Sequence, residues 1–591
     1  MAALINTLDN YSPTQVGENG HAEHGWSNSI QEKILQFSFQ VTRTDTLGVS
    51  KLAVILTSIL TELKAKIDLD LDSEVVRGYL SVLYKLIGNT RDIVDGKGEY
   101  TLSYMMIHTW YKFYPALAEF ALKCFVSLEV NDEFIHPYGS WKDIKYFCEY
   151  CKSQGVGYQG VGYQCGNTLL IHYSIRLLND QIKKDYVTML LNEPTSFISL
   201  AAKWAPREKS SFGWLYTDLA TNYFSEFLLT ANTNEQLRKA TLKCKTEYRK
   251  ILSAINRYLD TLQVKQCDKK WSSINFNKVT SISLSKQNKA FLNIKKNGET
   301  RFEEDEDRIG CATNFKTHVD KAVKGETEMK GKRVGMADFC LRARDLLCRT
   351  GYSNQTETDL LNSQWRDNSS QNGGLGNMIA MVDVSGSMEG DPMNVAISLG
   401  IRIAEKSVLG KRIMTFSAKP TWVNLEPYPD FVSQVGEVVR ADWGMNTNFY
   451  AALDMILDAI ITNKMPAEDV QDMVLVILSD MQMDQGDASF KTSSLYETMK
   501  TKYADAGVRV HGNPYKPPHI LFWNLRSTSG FPSLANQSNA SMMSGFSPAL
   551  LNVFCEQGID ALQSATPWSM LEKSLDNKRY AILGDKLLER I

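Results

Sequence analysis

No apolar run in this 591-residue chain reaches the ~18 residues that a membrane-spanning helix needs. The stretch Met1 to Asn10 has neither a basic segment nor a long apolar core, so no secretory leader is expected. Charge of one sign is also missing. The 65 Lys and Arg against 67 Asp and Glu leave a net −2, too little to draw nucleic acid or a membrane through a global field. The ten cysteines are scattered rather than framed for a small disulfide domain, which points to free thiols in a reducing, cytoplasmic interior. Catalytic motifs are scarce too: there is no Walker A loop, no G-x-S-x-G elbow and no H-E-x-x-H helix.

What is there reads as ordinary globular text, 43% hydrophobic and 22% charged, long enough for three or four domain-sized units. After a tail over 1–27, residues 28–296 are patterned as successive amphipathic helices. Leu52, Ile55, Leu56, Ile59, Leu63 and Ile67 form one stripe. Val76, Tyr79, Leu80, Leu83, Leu86 and Ile87 form the next, between Ser73 as N-cap and Gly88 as stop. Further helices are expected near 101–128, 140–153, 167–192, 211–230 and 233–264, the last opened by the capping box Thr233-Asn-Glu-Gln236. Such a series predicts a helical, HEAT-like array. Residues 297–376 read as an exposed or partly disordered connector, with one short helix over Ala337–Leu347.

Several patterns were weighed for chemistry. Between Arg238 and Lys296 there are 15 Lys or Arg and 3 Asp or Glu, a local excess of 12. Lys239, Lys243, Lys245, Arg249, Lys250, Arg257, Lys265, Lys269 and Lys270 make this a candidate RNA-binding stripe, with Tyr248, Trp271 and Phe276 as candidate stacking rings. The acidic run Glu303–Asp307 follows and would fold back to neutralise it. Gly155-Val-Gly-Tyr-Gln-Gly160 matches a dinucleotide fingerprint but belongs to a doubled Gly-Val-Gly-Tyr-Gln after a helix, so it reads as a loop. Cys148, Cys151, Cys165 and His172 are four possible zinc ligands. The first pair fits better as small apolar residues of a helix. His108 and His136 read as packed or hydrogen-bonded.

The sharpest stretch is Met378-Ile-Ala-Met-Val-Asp-Val-Ser-Gly-Ser-Met388. Its apolar half predicts a strand buried on both faces, and a helix follows from about Asp391. Asp383, Ser385 and Ser387 then sit at the carboxyl end of a central strand, where open α/β sheets place ligands. All three offer oxygen, the donor set of a hard cation such as Mg²⁺. From 377 to 591 the text alternates strand and helix as in a doubly wound, Rossmann-like sheet. Strands are expected at Arg412–Ser417, Thr421–Leu425, Val474–Ser479 and Ile520–Asn524. Met393, Ala396, Ile397, Ile401, Ala404 and Val408 are placed on the buried face of the first helix.

The D-x-S-x-S turn resembles the metal-ion-dependent adhesion site (MIDAS) of von Willebrand factor A (vWA) domains. That resemblance implies two further ligands, Thr447 in Trp443–Phe449 and Asp480 after Val474–Ser479, with Ser541 or Ser544 overlooking the site. It also implies an open coordination position for a partner's carboxylate. The Asp383 turn has Ser385 where phosphotransferases of the haloacid dehalogenase type need a second Asp, so a Mg²⁺-dependent hydrolase is the weakest reading. Asn89-Thr-Arg91-Asp92 with Gly96-Lys-Gly-Glu99, Gly139-Ser-Trp141-Lys-Asp143 and Ala202-Lys-Trp204-Ala-Pro206 are similar to phrases of a little-characterised family. Its members, from plants, fungi and large DNA viruses, join a helical region to a C-terminal vWA-like domain. The layout also resembles the Ro ribonucleoprotein autoantigen, a TROVE ring closed by a vWA domain. The expectation is a non-enzymatic, intracellular binding protein, cytoplasmic or, in a virus, in the virion. It would bind small structured or single-stranded RNA or, alternatively, assemble with a protein through the metal.

Overall fold

Short hairpins and long helices account for the first part of the chain. The computed structural model describes residues 13–69, 73–130, 133–155, 161–349, 355–441, 444, 446–484, 494–555 and 559–590. Strands β1 (Thr14–Val16) and β2 (Ala22–His24) pair antiparallel. Helices Ile30–Gln40, Thr46–Asp68 and Ser73–Arg91 follow. The last runs through Gly88 rather than stopping there. A Cβ at Gly88 would lie 2.9 to 3.1 Å from Leu583, Tyr138 and Tyr580, so the glycine serves close packing. The expected helix 101–128 is two, Thr101–Tyr111 and Pro115–Val126, because Pro115 starts a new helix at a position where its missing N–H costs nothing. Strands β3 (Leu128–Val130) and β4 (Glu133–Ile135) then form a second hairpin.

Helices Lys142–Gly155, Val161–Leu190, Gly213–Tyr223 and Asn234–Tyr258 continue the array. The Thr233 box forms as read, with Gln236 N donating to Thr233 Oγ1 at 3.2 Å and Thr233 N to Gln236 Oε1 at 3.1 Å. The helix ends at Tyr258, short of 264, and Asp260 takes a left-handed φ of 46° before Leu262–Cys267 begins. Helix Thr46–Asp68 is long and apolar enough, by length and composition, to cross a membrane. Its Leu52, Leu56, Ile59, Leu60 and Leu63 are buried in the core. The doubled Gly-Val-Gly-Tyr-Gln falls largely outside the described residues.

The connector differs from its reading. It is built on helices Glu306–Val323, Met336–Cys348 and Gln355–Ser369. Phe339, Leu361 and Trp365 enter the same buried cluster as the sheet that follows, and Trp365 stacks on Phe431 at 3.8 Å. Polar composition hid a sparse apolar stripe.

That sheet has six strands: β5 (Met378–Asp383), β6 (Arg412–Phe416), β7 (Thr421–Asn424), β8 (Val474–Ser479), β9 (His519–Asn524) and β10 (Ala540–Ser544). Their order is β10-β9-β8-β5-β6-β7, parallel except for the edge pair β6–β7. Residues 540–544, not among the strands expected from the sequence, form the other edge strand. Alternation divides the core: Leu475 and Ile477 of β8 face one buried cluster, Val474, Val476 and Leu478 the other. The first cluster is continuous with the helical region, including Phe37, Leu56 and Leu83. The second receives helix Asp391–Lys406, which ends before Val408; that side chain is exposed. The chain is therefore mixed α and α/β, with an N-terminal helical region packed on a C-terminal, mostly parallel sheet.

A buried ion pair stitches the two together: Arg579 Nε and Nη2 donate to both oxygens of Asp92 at 2.7 Å. Within the helical region Arg91 donates to both oxygens of Asp143 at 2.6 and 2.8 Å. Lys97, fully enclosed, donates to Ser38 O, Val41 O and Ser544 Oγ at 2.9, 2.8 and 2.7 Å.

A candidate metal centre at the carboxyl edge of the sheet

Strands β5 and β8 are neighbours, and the chain leaves β5 toward β6 on its other side. Their carboxyl ends therefore open at the switch point where the strand order reverses, and both end in a carboxylate. Asp383, the last residue of β5, is fully buried. Its Oδ1 accepts from Ser385 N at 2.9 Å and its Oδ2 from Ser479 Oγ at 2.6 Å. Ser385 Oγ and Ser387 Oγ lie 3.2 Å apart in the turn over Gly386–Met388. Gly390 then takes a φ of 99° that an L side chain would strain, and helix Asp391–Lys406 starts.

Asp480 follows β8 and is also fully buried. Its Oδ1 accepts from Gln482 N at 3.1 Å, and its Oδ2 from Arg526 Nη1 at 2.9 Å. Burial, and then the Asp480 carboxylate, push the Asp383 carboxyl well above its ordinary range; the Ser385 and Ser479 hydrogen bonds oppose this. Two enclosed carboxylates so placed favour a counter-cation.

Thr447 comes from a third loop. Asn448 N donates to Ser417 O and Asp484 N to Thr447 O, both at 3.0 Å, tying that loop to the ends of β6 and β8. Thr447 is buried, and among the described residues its Oγ1 has no hydrogen-bond partner. Two carboxylates, two serines and an unpartnered threonine hydroxyl all offer oxygen, the donor type that fits a small hard cation. Residues 442, 443 and 445 of this loop lie outside the described ones. Ser541 and Ser544 do not face the centre: their hydroxyls are engaged by His519 and Lys97.

Sequence reasoning missed the cover. Glu18 N donates to Gln482 Oε1 at 2.6 Å, Asn19 Nδ2 to Gln482 O at 2.8 Å, and Gln482 Nε2 to Glu23 Oε2 at 3.0 Å. Gly20 bridges Asp484, and Glu18 Oε2 lies 3.6 Å from Arg526 Nη2. The stretch read as a tail is thus a hairpin seated on the β8 loop. No local pattern could have paired residue 18 with residue 526.

The basic stripe is dispersed among partners. Lys239 pairs with Glu235 at 2.7 Å, Lys250 with Glu247 at 2.8 Å and Lys265 with Asp260 at 3.1 Å. Lys245 and Arg249 flank Glu208 at 3.6 and 3.7 Å, and Lys243 lies 3.9 Å over Phe227. Arg257, Lys269 and Lys270 are exposed. Tyr248 and Phe276 are buried, so these two rings are not free to stack bases, and Arg308 lies 3.8 Å over one face of the half-buried Trp271. The acidic run does fold back, but through Asp307 accepting from Trp271 N and Ser272 N at 2.7 and 2.8 Å. Cys148 and Cys151 are buried free thiols, and no cluster of three His, Cys, Asp or Glu that could hold a metal occurs among the described residues. His108 Nε2 lies 2.6 Å from Asn167 Oδ1, and His136 Nδ1 2.7 Å from Pro137 O.

Two family models of unknown function match the sequence: DUF7788 over residues 377–581 and DUF2828 over residues 168–310. An uncharacterised protein of Acanthamoeba polyphaga mimivirus is 30% identical over 483 residues, covering 80% of this chain and 76% of the viral protein.

Proposed function

We propose, from the premise that the chain belongs to the family of that mimiviral protein, that it is a binding protein whose C-terminal domain is a vWA module with a MIDAS. Asp383, Ser385, Ser387, Thr447 and Asp480 would hold Mg²⁺ or a similar divalent cation. Bound there, the cation would supply a Lewis-acidic position for a carboxylate of a partner protein. The observation that carries this reading is the pair of buried carboxylates, Asp383 and Asp480, at the carboxyl ends of neighbouring central strands, with the buried Thr447 hydroxyl unpartnered among the described residues. The strand order, with one antiparallel edge strand beyond β6, also agrees with a vWA sheet. Ser385 and Ser387 offer direct oxygen contacts, while Ser479 and the Ser385 amide hold Asp383 in place. The helical region serves as the scaffold that carries this module.

The reading is tested by isothermal titration of the purified chain with Mg²⁺ and Mn²⁺. One saturable site is expected, lost in Asp383→Ala and weakened roughly tenfold or more in Thr447→Ala. Equal heats for wild type and both folded variants would sink it.

A further inference from the structure

Around helix Lys142–Gly155 the structure gathers cations and aromatic rings on one face. Lys142 Nζ lies 5.4 Å from the ring centre of Tyr100, 5.1 Å from Tyr146 and 5.8 Å from Trp204. Lys145 Nζ lies 5.5, 5.2 and 5.6 Å from Tyr146, Trp204 and Phe212. Lys203 adds a third ammonium, 5.7 Å over Trp204. Tyr146 and Phe212 meet edge to face at 5.3 Å.

Two features separate this face from ordinary surface. Its charge is mostly positive: burial, then Lys142 and Arg207, push the Lys145 ammonium down, so three cations crowd together, while the neighbouring Glu149 accepts from Trp214 Nε1 at 2.9 Å. Among the described residues Lys142, Lys145, Lys203 and Arg207 have no ion-pair partner, and Glu208 turns to Lys245 and Arg249 instead. Its rings are also reachable. Tyr100 and Tyr146 are 37% and 38% exposed and border a hollow of about 460 Å³ that Tyr104 and Tyr150 also line. Tyr100 is backed by the Arg91 guanidinium at 4.0 Å, which Asp143 fixes in turn. The platform is held before any ligand arrives.

We propose that this face binds a single-stranded nucleic acid, its bases stacking on Tyr100, Tyr146 and Trp204 while Lys142, Lys145, Lys203 and Arg207 neutralise phosphates. An acidic protein would satisfy the cations alone; rings interleaved with them fit a polymer that alternates flat bases and phosphates. Lys245 and Arg249, at the border through Glu208, would extend the track. The site stands apart from the metal centre and does not depend on it.

The test is fluorescence anisotropy of a labelled oligouridylate of about fifteen nucleotides with the full chain, with and without EDTA. Binding at low salt is expected, unchanged by EDTA. Trp204→Leu is expected to weaken it by roughly 5- to 100-fold. Lys142→Ala with Lys145→Ala should flatten the plot of log affinity against log salt by about 1.4. Lys239→Ala with Lys250→Ala, folded equally well, should change little. No binding at low salt would overturn the proposal, as would binding indifferent to the Lys142 and Lys145 changes. So would competition by polyglutamate as effective as by unlabelled RNA, which would mark a surface for acidic protein.

Discussion

Arg526 holds one oxygen of Asp480, and Glu18 helps hold Arg526. If Asp480 serves the proposed cation, the guanidinium would compete with it for that carboxylate, so Arg526→Ala should tighten Mg²⁺ binding about tenfold in the same titration. Titration of buried groups gives a second residue-scale prediction. Burial pushes the Glu32 carboxyl up to about 7, although Ala535 N donates to it. The folded state then keeps a proton the unfolded chain has lost, so this group's contribution falls as pH rises from about 4.5 to 7. Burial pushes the His519 imidazole down to about 4. Its contribution has the opposite sign: it is complete above about pH 6.5 and is lost as pH falls toward 4. Relative to wild type, Glu32→Gln should therefore add an upward slope worth up to roughly 2–3 kcal/mol of stability from pH 4.5 to 6.5. Urea midpoints across that range check it, and His519→Gln should show the reverse slope. That Asp383, Ser385 and Ser387 share one turn at a strand end was legible because strand, turn and helix are contiguous. Arg526 was not, since only the folded sheet brings it to Asp480.

At the scale of elements, the array of helices was legible wherever a full apolar stripe marked the buried side. Boundaries slipped where one residue decides: Pro115 divides a helix, Asp260 ends one, and Gly88 packs where it was read as a stop. The connector was misread because its helices bury polar and small side chains, such as Arg308, Ala343 and Gln364, beside the apolar Phe339, Leu361 and Trp365. These carry the docking. Trp365 stacks on Phe431, lies 4.2 Å from the Arg402 guanidinium and donates to Glu405. Trp365→Ala should cost about 3–5 kcal/mol, read as a lowered urea midpoint, and should open the region around 355–369 to protease first.

At the scale of the whole molecule, several crossings join the regions. The hairpin Thr14–His24 sits on the sheet's loops, and helix Lys578–Leu588 packs on helix Ser73–Arg91. Replacing Arg579 by Ala leaves Asp92 buried without its partner and should cost about 3–5 kcal/mol, with a single unfolding transition at a lower midpoint. Two well-separated transitions would show instead that the regions fold independently. The sequence shows two textures, helical and alternating. It does not show their interlock, because Asp92 and Arg579 are ordinary charges until the chain brings them together.

The interlock has a consequence in time. Asp92 is synthesised 487 residues before Arg579. At the usual pace of a ribosome that interval is about half a minute to a minute and a half. Throughout it the Ser81, Lys85 and Gly88 side of the nascent helix, which meets Tyr580, Leu583 and Gly584, lacks its final cover, and the Asp92 carboxylate stays in water. Slow or stalled translation near the end of the message would lengthen that exposure. Chaperone demand in a producing cell should therefore rise with the delay before the last helix is made.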